Sequence, residues 1–218
     1  MAERVVVIDY GAGNLRSVAK ALEKVANERG RELQVIVTAS ADTMRAADRL
    51  VLPGVGAFGQ CAAALRSLPG MEEALRERVI DGGLPFLGVC VGMQLLARRG
   101  TEHGVHQGLG WIPGEVVRLD PPDPALKVPH MAWSPVRLTL PGLEHCAVGG
   151  IEDGGQGYFV HSFRFEPADR AHLLGVCDYG GEVAAIVGRD NILGVQFHPE
   201  KSQAYGLAFL RAFLDWRP

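Results

Sequence analysis

Cysteine is scarce in this chain: the 218 residues include four, at the uneven positions Cys61, Cys90, Cys146 and Cys177. This spacing fits neither a disulfide framework nor a zinc site, so reduced thiols are expected. Each cysteine therefore needs its own explanation. Three of them lie in ordinary helical, loop or strand contexts, and we predict that Cys61, Cys146 and Cys177 are packing residues.

Long apolar runs and clustered basic residues are also missing. No apolar stretch approaches the roughly 20 residues that span a membrane, and the chain opens on a strand-like segment rather than a signal peptide. The 22 basic and 25 acidic residues give a net charge of -3, and the basic ones are scattered, which opposes binding to nucleic-acid backbones. The sequence therefore predicts a cytoplasmic protein without a membrane or nucleic-acid partner.

Strand-like and helix-like segments alternate through the first half of the chain. The predicted strands are Val5–Asp9, Leu33–Thr38, Arg49–Leu52 and Pro85–Val89, and the predicted helices are Leu15–Glu28 (capped by Asn14), Gln60–Leu68, Met71–Asp81 and Ala204–Leu214. This alternation predicts one α/β domain over residues 1–218, with a mostly parallel sheet flanked by helices. From about Gly104, segments such as Val136–Thr139 and Tyr158–Arg164 predict antiparallel strands inserted beside that sheet.

Cys90 is bracketed by glycines in Gly88-Val89-Cys90-Val91-Gly92, between a predicted strand and the helix-forming stretch Met93–Arg98. A sharp strand-to-helix turn exposes its central residue, and the flanking glycines let neighbouring backbone approach. The start of the following helix favours a thiolate at this position. We therefore predict that Cys90 is a nucleophile.

A thiol nucleophile needs a base, and the apolar strand from Asn191 ends at His198, with Glu200 two residues later. We predict that His198 is the base and that Glu200 orients its ring. The carboxyl ends of parallel strands share one edge of a sheet, which would bring His198 to Cys90.

A second glycine-rich loop, Gly54-Val55-Gly56, follows the third predicted strand. Its backbone N–H groups, with that of Val91, are candidate donors to an oxyanion on the substrate. Gln94, one helical turn beyond Cys90, is predicted to face the same pocket.

The segment around His161, Ser162 and Phe163 has two interpretations. It could supply backbone contacts to a small polar substrate, or it could be a core strand without a binding role.

The segments Pro53–Gly56, Gly88–Gln94 and Gln196–Glu200 resemble the three motifs of the class I (triad) glutamine amidotransferases, over nearly the whole chain. The resemblance implies a flavodoxin-like core and a cysteine that attacks the side-chain amide of glutamine. Ammonia would then leave, and water would hydrolyse the γ-glutamyl thioester to glutamate.

Four further segments narrow this resemblance: Ile8–Val18, Val128–Met131, Tyr158–Ser162 and Lys201–Ser202. They are similar to family members that supply ammonia for histidine biosynthesis. The resemblance implies a (β/α)8-barrel cyclase subunit as partner, in a heterodimer with an ammonia channel, and no metal or organic cofactor. The chain departs from the usual pattern at Ala132 and Ser134, where Gly and Asn are common, and at Phe163, where Tyr is common.

A partner is also expected on chemical grounds, because free ammonia would be protonated and diluted in water. The freedom of Gly54 further predicts that the Gly54–Val55 peptide can turn, so that the isolated chain is nearly idle until its partner binds nucleotide substrate.

Three alternatives remain. The chain could be the glutaminase of another synthase, such as that making pyridoxal phosphate, although its segments at 9–14 and 199–202 argue against this. It could be a cysteine peptidase or a γ-glutamyl hydrolase built on the same elbow. It could also be a catalytically silent binding subunit, which the intact Cys90, His198 and Glu200 oppose.

Overall fold

The computed structural model describes residues 2–218. Its strands are β1 (Glu3–Ile8), β2 (Leu33–Thr38), β3 (Arg49–Gly54), β4 (Phe86–Cys90), β5 (Arg99–Gly100), β6 (His106–Gln107), β7 (Gly114–Arg118), β8 (His130–Leu138), β9 (Gly155–His161), β10 (Phe163–Pro167), β11 (Leu173–Asp178), β12 (Glu182–Arg189) and β13 (Ile192–Val195). Its α-helices are α1 (Leu15–Glu28), α2 (Ala41–Arg45), α3 (Phe58–Ser67), α4 (Met71–Leu75), α5 (Val91–Gln94), α6 (Leu140–Glu144) and α7 (Gln203–Asp215). A π-helical segment, Arg76–Asp81, continues α4, and 3₁₀ turns occupy Arg170–His172 and Pro199–Lys201.

One nine-stranded sheet forms the centre of the molecule, in the order β2-β1-β3-β4-β13-β12-β11-β8-β9. Pairing is parallel from β2 to β13 and antiparallel from β13 to β9. The predicted α/β fold is confirmed, with one difference: the antiparallel strands extend the parallel sheet. A separate four-stranded sheet has the order β10-β7-β5-β6.

The core lies on both faces of the central strands. Every residue of β3, β4 and β13 is buried, as expected for parallel strands covered on both sides. Helix α1 buries Val18, Leu22 and Val25, and α7 buries Phe209 and Phe213, so each presents one apolar face to the interior. Within residues 2–218 no helix is long and apolar enough to cross a membrane.

Asn14 is predicted to cap α1, and the structure confirms its position but not the capping role of its side chain. Asn14 occupies the position before the helix, but its side chain makes no capping hydrogen bond. Its amide instead donates to Glu200, which lies 186 residues away in the sequence.

The helix predicted to continue to Arg98 ends at Gln94. Beyond that residue the backbone carbonyls of Leu95, Leu96 and Ala97 accept hydrogen bonds from the returning segment 109–112. These tertiary bonds replace the intrahelical ones, so the helix lasts one turn.

Two further expectations are corrected. The segment Tyr158–Arg164 is two strands that separate at Ser162, because β9 pairs with β8 while β10 pairs with β7 in the other sheet. Cys146 is exposed, where packing was expected, and accepts a 3.1 Å hydrogen bond from the indole of Trp216. Cys61 and Cys177 are buried, as predicted.

Candidate active site

The predicted nucleophile, base and glycine loop meet at the carboxyl edge of the parallel strands. Strands β3 and β4 are paired so that Gly54 lies beside Cys90, and β13 pairs with β4 so that Val195 lies beside Val89. The chain beyond β13 then leads to His198. The sheet register therefore places these distant segments together.

Cys90 has the strained backbone expected of a nucleophile elbow, with φ 56° and ψ -114°. A non-glycine residue in this region costs on the order of 1–3 kcal/mol and persists only when its surroundings enforce it. Here the backbone of neighbouring segments packs closely against the elbow at Gly88 and Gly92, where a side chain would not fit. A Cβ on Gly92 would lie 1.8 Å from the Leu52 carbonyl oxygen, and one on Gly88 would lie 2.5 Å from the Gly92 carbonyl oxygen.

His198 and Glu200 form a buried pair. The Nδ1 atom of His198 lies 3.0 Å from Oε1 of Glu200, and the two side chains are 3% and 1% exposed. The amide of Asn14 donates to the same Oε1 at 3.3 Å. Since Nδ1 is engaged by a carboxylate, Nε2 is the ring nitrogen left for chemistry, and it has no hydrogen-bond partner within residues 2–218.

The electrostatics of His198 depend on Cys90 as well as Glu200. Burial lowers the pKa of His198, but interactions with Cys90 and with Glu200 outweigh burial and raise the pKa to about 9. The approach of Cys90 to Nε2 does not reach hydrogen-bond geometry, so we attribute its effect mainly to charge. The surroundings of His198 therefore favour its protonated, imidazolium form.

A cavity of about 230 Å³ opens at this edge of the sheet. Nearly all of the predicted site residues line it: Val55, Gly56, Cys90, Val91, Gln94, His161, Ser162, Phe163 and His198. Gly54 and Glu200 do not line it: Gly54 packs against Val91, and Glu200 contacts His198. The cavity is smaller than the roughly 300–1,000 Å³ of sites for drug-sized ligands, so it can hold one small molecule at most.

Glu102, Pro129 and Val160 also line this cavity, and sequence reasoning missed them. The carboxylate of Glu102 accepts a 2.7 Å hydrogen bond from the backbone N–H of Phe58, which begins α3. No local pattern marks Glu102, because it lies in an irregular segment and reaches the site through the fold.

The glycine loop packs directly on the elbow. A Cβ on Gly54 would lie 2.5 Å from the Tyr10 hydroxyl oxygen and 2.7 Å from the Gly92 nitrogen. Gly56 has φ 101°, and the thiol of Cys61 donates to the Val55 carbonyl at 3.3 Å. The loop is therefore held at its Val55 carbonyl and by close backbone packing at Gly54.

Gln94 lies under the cavity and is 3% exposed. Its Nε2 donates to the carbonyl of Phe163 at 3.0 Å and to Oε1 of Gln196 at 2.9 Å. The Nε2 atom of Gln196 in turn lies 3.6 Å from the sulfur of Cys90. Sequence reasoning did not single out Gln196, although its position two residues before His198 in an extended segment puts both on one side of the chain.

A buried histidine pair adjoins the same carbonyl. His161 donates from Nδ1 to the Phe163 carbonyl at 2.8 Å, so its Nε2 accepts from Nδ1 of His130 at 3.1 Å. The remaining nitrogen of His130 lies 2.9 Å from the hydroxyl of Ser134, which donates to it. Burial lowers the pKa of both histidines to about 4, and this bonding pattern suits two neutral rings.

A second depression, of about 460 Å³, lies around Trp111 and Arg189, at the opposite end of β13. It contains none of the predicted catalytic residues. Within residues 2–218 no cluster of histidine, cysteine or carboxylate side chains has the arrangement of a metal site.

Comparison with known proteins gives a consistent result. The profile of the family "Glutamine amidotransferase class-I" matches residues 6–215. The "Imidazole glycerol phosphate synthase subunit HisH" of Zymomonas mobilis is 56% identical over 98% of this chain and 96% of its own. The protein of the same name from Rhodospirillum rubrum is 52% identical over 99% of this chain and 100% of its own.

Solved structures show the same fold at low identity. A glutamine amidotransferase crystal structure is 20% identical, with TM-score 0.69 over 95% of this chain and 98% of that one. A glutamine amidotransferase from Thermotoga maritima is 15% identical, with TM-score 0.65 over 99% of this chain and 97% of that one.

Proposed function

We propose a catalytic triad on the premise that this chain belongs to the class I glutamine amidotransferases and, within them, to the family of imidazole glycerol phosphate synthase subunits HisH. The triad consists of Cys90, His198 and Glu200. The enzyme hydrolyses glutamine to glutamate and ammonia. One observation carries the assignment: Cys90 sits at a strained elbow and shares a cavity with His198, whose other nitrogen is held by the buried Glu200.

In the first half-reaction the sulfur of Cys90 attacks the side-chain amide carbon of glutamine. The proton on Nε2 of His198 passes to the leaving nitrogen, the C–N bond breaks, and ammonia departs from a γ-glutamyl thioester. In the second half-reaction His198 takes a proton from water, the resulting hydroxide attacks the thioester, and the C–S bond breaks to give glutamate and thiolate. Glu200 keeps the Nδ1 proton in place throughout.

The oxyanion formed in each half-reaction is stabilised by the backbone N–H of Val91 and by those of the loop Gly54-Val55-Gly56. Their assignment as donors is supported by their positions on the elbow and around the cavity. Removing one such donor typically costs about 10²- to 10³-fold in rate.

Substrate selectivity comes from the polar groups around the cavity. Both N–H groups of Gln94 are already used, so its Oε1 is the atom that accepts from the ligand. The Glu102 carboxylate complements the ammonium group of glutamine. The Phe163 carbonyl already accepts two hydrogen bonds, so this residue contributes by positioning, while His161 and Ser162 supply wall contacts.

Ammonia passes to a (β/α)8-barrel cyclase subunit, in a heterodimer that forms imidazole glycerol phosphate. The relatives are named as subunits of that synthase. The exposed face of β8 supports a docking surface beside the site: Met131 is 60% and Trp133 44% exposed, and Met131 pairs with Val160, which lines the cavity. Exposed apolar side chains grouped in this way are typical of interfaces.

We assign the whole chain, residues 1–218, to one domain that needs no metal or organic cofactor, and we place the enzyme in the cytoplasm. Within residues 2–218 all four cysteines are free thiols, which supports placing the enzyme in a reducing compartment.

The test is Cys90→Ser in the complex with the cyclase subunit. Glutamine-dependent synthesis should be lost while ammonia-dependent synthesis survives, because the hydroxyl is a poorer nucleophile of similar size. Cys146→Ser, at an exposed cysteine away from the cavity, is the matched control and should keep both activities. Faster hydrolysis of γ-glutamyl peptides than of glutamine would favour the γ-glutamyl hydrolase alternative.

A further inference from the structure

We propose that Gln196 is a further catalytic residue, whose side-chain N–H donates a hydrogen bond to the sulfur of Cys90 and stabilises its anionic form. The inference rests on the proposed role of Cys90 as nucleophile. It gives a function to a residue that the triad chemistry does not use.

The contact is buried and well defined. Nε2 of Gln196 lies 3.6 Å from the sulfur of Cys90, and Gln196 is 0% exposed. Its backbone is anchored as well, because its N–H donates to the Ala185 carbonyl at 2.9 Å. Within residues 2–218 no other side chain donates a hydrogen bond to this sulfur.

The orientation of the Gln196 amide is fixed by a backbone carbonyl two hydrogen bonds away. The Phe163 carbonyl can only accept, so Gln94 must present Nε2 to it. The same Nε2 reaches Gln196, which must therefore present Oε1, leaving its own Nε2 for Cys90. Turning either amide over would set two donors or two acceptors against each other.

A second hydrogen bond holds the Phe163 carbonyl, where this series of hydrogen bonds begins. His161 donates from Nδ1 to the same Phe163 carbonyl, which sets the tautomer of His161 and, through its Nε2, that of His130. The amide facing Cys90 is therefore preorganised, and no solvent has to reorient when the thiolate forms.

The consequence for catalysis follows from the charge on sulfur. A donor strengthens its interaction when the acceptor becomes an anion, and in a buried site the gain is larger than in water. Gln196 therefore favours the thiolate before attack and again when the thioester breaks. This role differs from that of His198, which moves protons.

The experiment uses the assembled complex in a Cys146→Ser background, so that the exposed thiol does not interfere. Gln196→Met keeps the size of the side chain and removes the donor. We expect kcat/KM for glutamine to fall about 10- to 100-fold, with ammonia-dependent synthesis unchanged. The pH midpoint for alkylation of Cys90 by iodoacetamide should move up by about one unit or more.

Gln196→Glu replaces the donor with a carboxylate of the same shape, and it should raise the alkylation midpoint further. A measurement on unmutated Gln196 covers the case in which neither variant folds: in the NMR spectrum of the complex, its side-chain amide protons should shift with pH along the Cys90 alkylation curve. A pH-independent amide signal overturns the proposal, as does an unchanged kcat/KM and midpoint in Gln196→Met.

Two outcomes distinguish a failure of the proposed function from a failure of the role proposed for Gln196. If Cys90→Ser retains glutamine hydrolysis in the same complex, the proposed function itself fails. If Cys90→Ser abolishes hydrolysis while Gln196→Met behaves as the parent does, only the role of Gln196 fails.

Discussion

Acidification from pH 7.5 to pH 5 is expected to destabilise this protein through two buried histidines, His130 and His161. Burial lowers the pKa of each ring to about 4, against about 6.5 in an unfolded chain. The unfolded state therefore binds protons between pH 6.5 and 4 that the folded state excludes. The stability due to this difference is fully present above pH 6.5 and is lost as the pH falls toward 4.

Burial opposes protonation of both rings, and the local bonding adds a further obstacle at His161. His161 donates to the Phe163 carbonyl and accepts from His130, which accepts in turn from Ser134. A proton added to His161 would set its new N–H against that of His130, whereas the Ser134 hydroxyl could turn to accept from a protonated His130, so burial alone lowers the pKa of His130. Linkage between pKa values of about 6.5 and 4 gives a loss of about 2 kcal/mol per histidine at pH 5.

Urea unfolding at the two pH values, for the parent and for His130→Gln, measures this effect. The variant should be less stable at pH 7.5, because its neighbours lose a partner, but its loss on acidification should be smaller by about 2 kcal/mol. The raised pKa of His198 acts in the opposite direction, since its contribution is complete below pH 6.5 and disappears as the pH rises through 9. The contribution of His198 is common to the parent and to His130→Gln, so it cancels when the two are compared.

His103→Asn, at an exposed histidine with φ 54°, is the matched control. Its loss of unfolding free energy from pH 7.5 to pH 5 should equal that of the parent. NMR titration of the imidazole protons gives an independent check. If the signals of His130 and His161 titrate near pH 6.5, or if His130→Gln loses as much stability as the parent, the reasoning is wrong.

Three further predictions concern the triad and its activation. His198→Ala should nearly eliminate glutamine turnover in the complex, whereas Glu200→Gln should lower kcat by about 10- to 10⁴-fold, because Glu200 orients the ring without taking the proton. Full activity of Glu200→Gln would remove Glu200 from the triad. Asn14→Ala should lower kcat by less than Glu200→Gln does, since it removes one of two hydrogen bonds at the Glu200 carboxylate, and a larger loss would assign Asn14 a different role. Glutamine hydrolysis should rise from the isolated chain to the complex, and again by up to about 10²- to 10³-fold with nucleotide substrate bound. The reason is that the Gly54–Val55 peptide turns to offer an oxyanion donor. Equal turnover in all three states would exclude this gate.

The features that the sequence predicts well are those with a local cause. Alternating strand and helix patterns predict the parallel half of the sheet, since apolar strands buried on both faces read as continuous apolar runs. The glycines around Cys90 predict a tight elbow, and the structure shows that a Cβ at Gly92 would overlap the Leu52 carbonyl.

The features that sequence reasoning missed depend on contacts between distant segments. Asn14 has the usual character of a helix cap, yet its partner is Glu200, 186 residues away. The helix after Cys90 ends early because its last carbonyls bond to a returning loop, and the strand around Ser162 divides because its halves pair in different sheets. The contact of Gln196 with Cys90 likewise exists only once β13 lies beside β4.

Selective labelling is the decisive test of whether Cys90 is the nucleophile. A glutamine-like electrophile is added to the complex with nucleotide substrate bound, and the modified cysteine is located by peptide mass spectrometry. We expect that the buried Cys90 is labelled and the exposed Cys146 is not, that excess glutamine protects Cys90, and that His198→Ala slows the labelling. Labelling of Cys146 with Cys90 unmodified and glutaminase activity intact would contradict the assignment of Cys90 as the nucleophile.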